Sequence, residues 1–76
     1  MDELIEILEE INDGVDYSTC TTLIDKGYLD SLAIISLVAE IEEHFDVQIP
    51  TVEIIPENFN SAEAIWNLIQ RIQEEG

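Results

Sequence analysis

Ser31, Cys20 and His44 are the side chains of this 76-residue sequence whose types could do covalent chemistry, and the cysteine and histidine are each single in the chain. Ser31 stands between Asp30 and Leu32, where an irregular stretch gives way to the longest apolar periodicity. A hydroxyl there projects at a helix start, where free N–H groups and the helix dipole favour an attached or bound phosphate. The plainer reading is that Asp30 and Ser31 only cap the helix, as Asp and Ser commonly do. As a hydrolytic nucleophile Ser31 would need a base within hydrogen-bond reach. His44 follows on the same helix, roughly 20 Å away at the helical rise per residue. The flanking glycines of a nucleophile elbow are also missing. Ser31 therefore reacts only if another protein activates it, and no residue is assigned a catalytic role.

Cys20 lies in a loop with no base, helix start or cationic neighbour to activate its thiol, and reads as inert. One cysteine forms no intramolecular disulfide, and with His44 alone it completes no zinc site. His44, near the end of its helix, reads as a surface residue favoured by the negative helix terminus. Between Asn12 and Thr22 there is no alternating Asp/Asn run with a glycine and a twelfth-position glutamate, so an EF-hand is rejected. No metal site is expected.

The elements that position Ser31 follow from apolar spacing. Leu4, Leu8, Ile11 and Val15, with Ile5 beside them, form one stripe on an acidic helix from Asp2 to Asn12, ended by Asn12-Asp13-Gly14. From Asp13 to Asp30 no period holds; Ser18, Thr19, Thr21, Thr22 and Gly27 mark a long loop. Loops of this length are often functional. Leu23, Ile24, Tyr28 and Leu29 are expected to pin it to the rest of the chain. Ile34, Val38, Ile41 and Phe45, widened by Ile35 and Leu37, predict a helix from Asp30 to about Phe45, with Ser36, Glu40 and Glu43 opposite. Pro56-Glu57-Asn58-Phe59 reads as one helical turn with Pro56 at its first position. Asn60 is then expected to cap a last helix, with Glu63 in a box-like arrangement and Ala62, Ile65, Ile69 and Ile72 facing inward. Leu68 and Trp66 flank that stripe. Val47 to Ile49 is too short to predict a strand. Three main helices, one short one and a long first loop make a small all-α, four-helix bundle, a single domain over residues 1–76.

Composition bounds the function. Eighteen acids stand against two bases, Lys26 and Arg71, for a net charge of −16, yet 46% of the residues are hydrophobic. That apolar content sets the chain apart from a disordered acidic tail. Two cations do not wrap nucleic acid or hold an anionic membrane surface. No apolar run approaches the ~20 residues of a membrane span, and Asp2 and Glu3 replace the basic start of a signal peptide. A cytoplasmic location is expected, and like charge favours a monomer.

The stretch Leu29-Asp30-Ser31-Leu32, followed by an acidic amphipathic helix ending in Phe45-Asp46-Val47-Gln48-Ile49-Pro50, resembles the acyl carrier proteins. The resemblance spans nearly the whole chain: size, acidity, long first loop, Asp-Ser-Leu at the second helix, short third helix and final helix. It implies that a phosphopantetheinyl transferase moves the 4′-phosphopantetheine arm of coenzyme A onto Ser31, with Asp30 assisting and Leu32 completing the motif. The arm's thiol would carry an acyl or aminoacyl group as a thioester between a loading enzyme and a downstream acyltransferase or synthase. Partner docking would fall on the second helix, on the face bearing Ala33, Ser36, Glu40 and Glu43. Charge would steer the chain toward basic patches.

Fatty-acid carriers usually place acids two and five positions after the serine; here those positions hold Ala33 and Ser36. With the Pro56–Phe59 turn, this is more similar to free-standing D-alanyl carrier proteins. Trp66 and Phe59 are expected to pack in or beside the core, with a border of an acyl pocket as the second reading. The alternative function is an unmodified acidic module that only binds other proteins.

Overall fold

A computed structural model describes residues 2–17 and 19–75; Ser18, assigned above to the loop, lies outside them. The described residues form four α-helices: α1 (Asp2–Ile11), α2 (Ser31–Phe45), α3 (Pro56–Phe59) and α4 (Ala62–Glu75), with a 3-10 turn at Thr51–Glu53. No strand occurs among the described residues. The small helical bundle expected from the periodicity is the observed architecture.

Leu4 and Leu8 of α1, Leu37 and Ile41 of α2, and Ile65 and Ile69 of α4 are fully buried against one another. Phe59 of α3 and Leu23 and Leu29 of the first loop complete this core. Burying such side chains contributes about 1.5–3 kcal/mol each, which is what holds so short a chain together.

The inward stripe of α2 differs from the expected one. Leu37 and Ile41 are buried, whereas Ile34, Val38 and Phe45 are only partly covered and Ile35 is exposed. The helix is apolar over more than half its circumference, so spacing alone does not choose the centre of the stripe. On α1, Ile7 is buried beside Leu4 and Leu8, a position the spacing argument passed over. At the far end of α2, Asp46 adopts a left-handed conformation (φ 54°) that stops the helix.

The cap of α4 is Ser61, not Asn60. The Ser61 hydroxyl accepts the Ala64 amide at 3.0 Å, and its carbonyl accepts the Ile65 amide. Asn60 instead has helical backbone angles and turns its side chain to the first loop. Two cap-forming residues in tandem differ by one position, and tertiary contacts decide between them. Pro56 opens α3 at its first turn, as expected.

Candidate functional site around Ser31

The described residues of the long loop before Ser31 have no regular secondary structure but are tied at many points. Leu23 and Leu29 are buried, and the Leu29 amide donates to the Leu23 carbonyl at 3.0 Å, closing a compact turn. Gly27 sits at φ 76° inside that turn, a conformation that side chains with a Cβ rarely adopt. Asn60 secures the turn from outside. Its carboxamide oxygen accepts the amides of Ile24 (2.9 Å) and Asp25 (3.1 Å), and its carbonyl accepts the Leu23 amide (2.9 Å). On the other flank, the Asn12 carboxamide donates to the Tyr28 carbonyl at 3.0 Å, joining the end of α1 to the residues just before the site. Tyr17 is buried, and its hydroxyl lies against the Leu8 and Asn12 carbonyls. Burial first, then the Glu9 carboxylate, raises the Tyr17 phenol above its ordinary pKa.

These ties deliver Asp30 in an extended conformation as the N-cap of α2. Its carboxylate accepts the Ala33 amide at 2.8 Å, and its carbonyl accepts the Ile34 amide at 2.9 Å. Ser31 is thus the first residue of the helix, exposed, with the capping role taken by its neighbour. The first turn of α2 contains no acidic residue. A phosphodiester on the Ser31 oxygen would meet the positive end of a 15-residue helix, where the carboxylate of the N-cap Asp30 is engaged by the Ala33 amide. The site fits such a group.

Two hollows meet at Asp30. One, of about 470 Å³, runs from Ser31 between α2 and the segment leading into α3; Ile34, Ile35, Ile54, Ile55 and Phe59 line its apolar walls. The other, of about 520 Å³, lies toward α1 and is bordered by Asn12, Tyr28, Leu32, Ala33 and Ser36. The wall carrying Ile54 and Ile55 hangs on Glu53. The Glu53 carboxylate accepts the Arg71 guanidinium at 2.8 Å, and its carbonyl accepts the Asn58 carboxamide at 2.7 Å.

The sequence-derived candidates separate accordingly. Asp30, Ser31 and Leu32 stand together at the α2 start, with Ala33 and Ser36 beside them. Glu40 and Glu43 belong to the lower half of α2, more than about 13 Å from Ser31 by helical rise. His44 pairs with Glu40 at 3.7 Å, far from the serine. Phe59 lines the cavity as well as the core, whereas Trp66 packs edge-to-face on Phe45, ring centres 5.9 Å apart, and does not border it. Cys20 is half-buried with its sulfur 3.9 Å from the Thr22 hydroxyl. Sequence reasoning missed Ile54 and Ile55, and it read Asn12 as a helix stop and Asn60 as a cap without their part in holding the loop. No local signal marks these roles, because each acts on residues remote in the chain.

Comparison with known proteins adds to this geometry. The family described as a phosphopantetheine attachment site matches residues 2–69. Two D-alanyl carrier proteins of Listeria monocytogenes, from serotypes 4a and 4b, are each 35% identical to the chain over 74 residues, covering 95% of it and 95% of their own lengths. No solved structure matches significantly.

Proposed function

The chain belongs to the phosphopantetheine attachment-site family, and we propose that Ser31 bears the arm and that D-alanine, or a similar aminoacyl group, is the cargo. It is a carrier protein whose cofactor is covalent 4′-phosphopantetheine. The observation that carries the assignment to Ser31 is its hydroxyl, exposed at the first position of α2 while Asp30 supplies the cap. When attached, the arm supplies a terminal thiol that holds the cargo as a thioester.

The chain's own residues hold and present; they do not catalyse. His44, the single histidine of the sequence, lies at the far end of α2 against Glu40, so no histidine base serves Ser31. Activation of the hydroxyl therefore falls to the transferase, and loading and unloading fall to further enzymes. Asp30 fixes the first turn by holding the Ala33 amide, and it is the neighbour in sequence of the hydroxyl that loses its proton. No described helix is long and apolar enough to cross a membrane, and we place the carrier in the cytoplasm as a monomer.

D-alanine is favoured by the names of the Listeria relatives and by Ala33 and Ser36, which stand where fatty-acid carriers are usually acidic. A second reading, an acyl chain as cargo, rests on the 470 Å³ apolar cavity beside Ser31. Incubation of the apo protein with coenzyme A and a broad-specificity transferase, followed by intact mass, tests the site. One arm on the wild type and none on Ser31→Ala is expected; an arm on the serine-free variant would reassign the site. ATP-dependent loading of the holo protein with D-alanine supports the cargo, and loading by malonyl transfer alone overturns it.

A further inference from the structure

The two hollows that meet at Asp30 differ in chemistry. The one that opens at Ser31 has isoleucine and phenylalanine walls, which suit an alkyl group. The one toward α1 is bordered by Asn12, Ser36 and the carboxylate-bearing Glu10. Its α2 side carries two small residues, Ala33 and Ser36, one helical turn apart, and they leave room in a hollow of about 520 Å³.

Charge sorts the polar groups of this second hollow. The acids that border it among the described residues are Asp30 and Glu10. The Asp30 carboxylate already accepts the Ala33 amide, and the Asn12 carboxamide is tied to Tyr28 and Gly14. Glu10 is different. It is exposed in the last turn of α1, which holds no base, and it joins neither ion pair found among the described residues, His44–Glu40 and Arg71–Glu53. The negative end of a helix favours a cation and disfavours a further acid. Glu10 therefore adds nothing to the stability of α1 and leaves an unmatched negative charge at the edge of the hollow.

The cargo proposed above supplies the matching charge. A D-alanyl thioester keeps a free α-amino group, which carries a proton below the ordinary α-amino pKa. Its single methyl gains little from an apolar cavity, whereas an ammonium that leaves water there without a partner is heavily penalised. The one acid bordering the apolar hollow is Asp30, already bound to an amide. Toward α1 the same ammonium meets a free carboxylate and stays partly in water.

We propose that the aminoacyl end of the arm settles in the hollow between α1 and α2, with its α-ammonium paired to the Glu10 carboxylate. An acyl group of the same size without the ammonium turns instead to the isoleucine walls on the other side of Asp30. Glu10 thereby distinguishes an aminoacyl cargo from an uncharged one. The inference rests on Ser31 bearing the arm and on an aminoacyl cargo. An exposed ion pair of this kind biases the cargo between the two hollows by roughly two- to fivefold.

The test attaches two arms to the apo protein with a broad-specificity transferase. Their donors are coenzyme A analogues that end in D-alanyl or propionyl, joined through a stable amide in place of the thioester. Backbone amide shifts are then compared by NMR at about pH 6, below the ordinary α-amino pKa. The D-alanyl arm is expected to move the amides of Ile11, Asn12, Ala33 and Ser36 about twice as far as the propionyl arm, following the population bias of an exposed ion pair. The propionyl arm should act mainly on Ile54, Ile55 and Phe59. Glu10→Gln should erase the difference between the two arms. Glu74→Gln, which removes the same charge from the last turn of α4, should leave it in place. Shifts that are equal for both arms, a D-alanyl effect confined to Ile54, Ile55 and Phe59, or a difference that survives Glu10→Gln overturns the proposal. So does a difference that Glu74→Gln reduces as much, which would make it an effect of net charge alone. A wild type that accepts neither arm is a separate failure and removes the assignment of Ser31. Failure of ATP-dependent D-alanine loading removes the cargo reading, whereas the preloaded arm reports on Glu10 without that step.

Discussion

The carboxamide oxygen of Asn60 accepts the backbone amide of Ile24 at 2.9 Å, across 36 residues of sequence. The same oxygen takes the Asp25 amide, and the Asn60 carbonyl takes that of Leu23. One residue between α3 and α4 thereby holds the turn whose other end is Asp30. Asn60→Ala deletes two accepted bonds and leaves two amides to seek water. At about 1 kcal/mol for each bond, the variant should lose about 2 kcal/mol in urea unfolding. A loss below about 0.5 kcal/mol, half the net worth of one such bond, would mean that the turn stands without Asn60.

Asp30 has one observed role and one proposed role, and substitution separates them. Its carboxylate caps α2 through the Ala33 amide, and as the neighbour of Ser31 we propose that it assists arm transfer. Asp30→Asn keeps an oxygen acceptor and should shift stability by only a few tenths of a kcal/mol, because Asn and Asp cap about equally well. Asp30→Ala should cost about 1 kcal/mol, the usual loss on removing a cap. Both should slow transfer of phosphopantetheine to Ser31. Unimpaired transfer to a stable Asp30→Asn variant would reduce Asp30 to a cap alone.

The acid load sets a salt dependence. With 18 acids against two bases, the folded state crowds like charges that the unfolded chain keeps apart. The melting temperature should climb by several degrees between about 10 and 150 mM salt, as the Debye length falls from about 30 to 8 Å. Arg71→Gln removes the partner of Glu53, a half-exposed pair worth less than about 1 kcal/mol. That variant should melt lower at low salt and close most of the gap at high salt. Its main local effect should be faster amide exchange at Ile54 and Ile55, the wall that Glu53 carries. A melting temperature indifferent to salt in both proteins would contradict the argument.

What the sequence made legible was local. Asp30 and Ser31 at the head of α2, and Pro56 at the head of α3, are placed by residue chemistry that acts within one turn. The contacts that build the site were hidden because they join distant segments. Ile24, Ile35, Ile54 and Phe59 come from the loop, α2, the stretch after the 3-10 turn and α3, and no period links them. Asn60 looked like a cap because the cap-forming Ser61 is its neighbour, and only the position of the Ile24 amide separates their roles. The centre of the α2 stripe, Leu37 rather than Ile34, was undetermined for a related reason: a helix apolar on most sides is oriented by its neighbours.

Tyr17 adds an alkaline limit. Its phenol is buried with its hydroxyl against the Leu8 and Asn12 carbonyls, and burial followed by the Glu9 carboxylate raises its pKa above the ordinary 10.0. A group whose proton is held more tightly in the folded state contributes stability that is complete below the unfolded pKa and is lost as pH rises through the folded one. Ionisation would also remove the only proton that the two carbonyls share and set a negative charge beside Glu9. Stability should therefore be insensitive to Tyr17 from neutral pH to about 9, and should fall steeply above pH 10, the unperturbed phenol value. Tyr17→Phe gives up the hydrogen bond at every pH, about 1 kcal/mol, but should flatten the alkaline limb in urea unfolding measured from pH 7 to 11. Parallel alkaline limbs in wild type and variant would place the titrating group elsewhere.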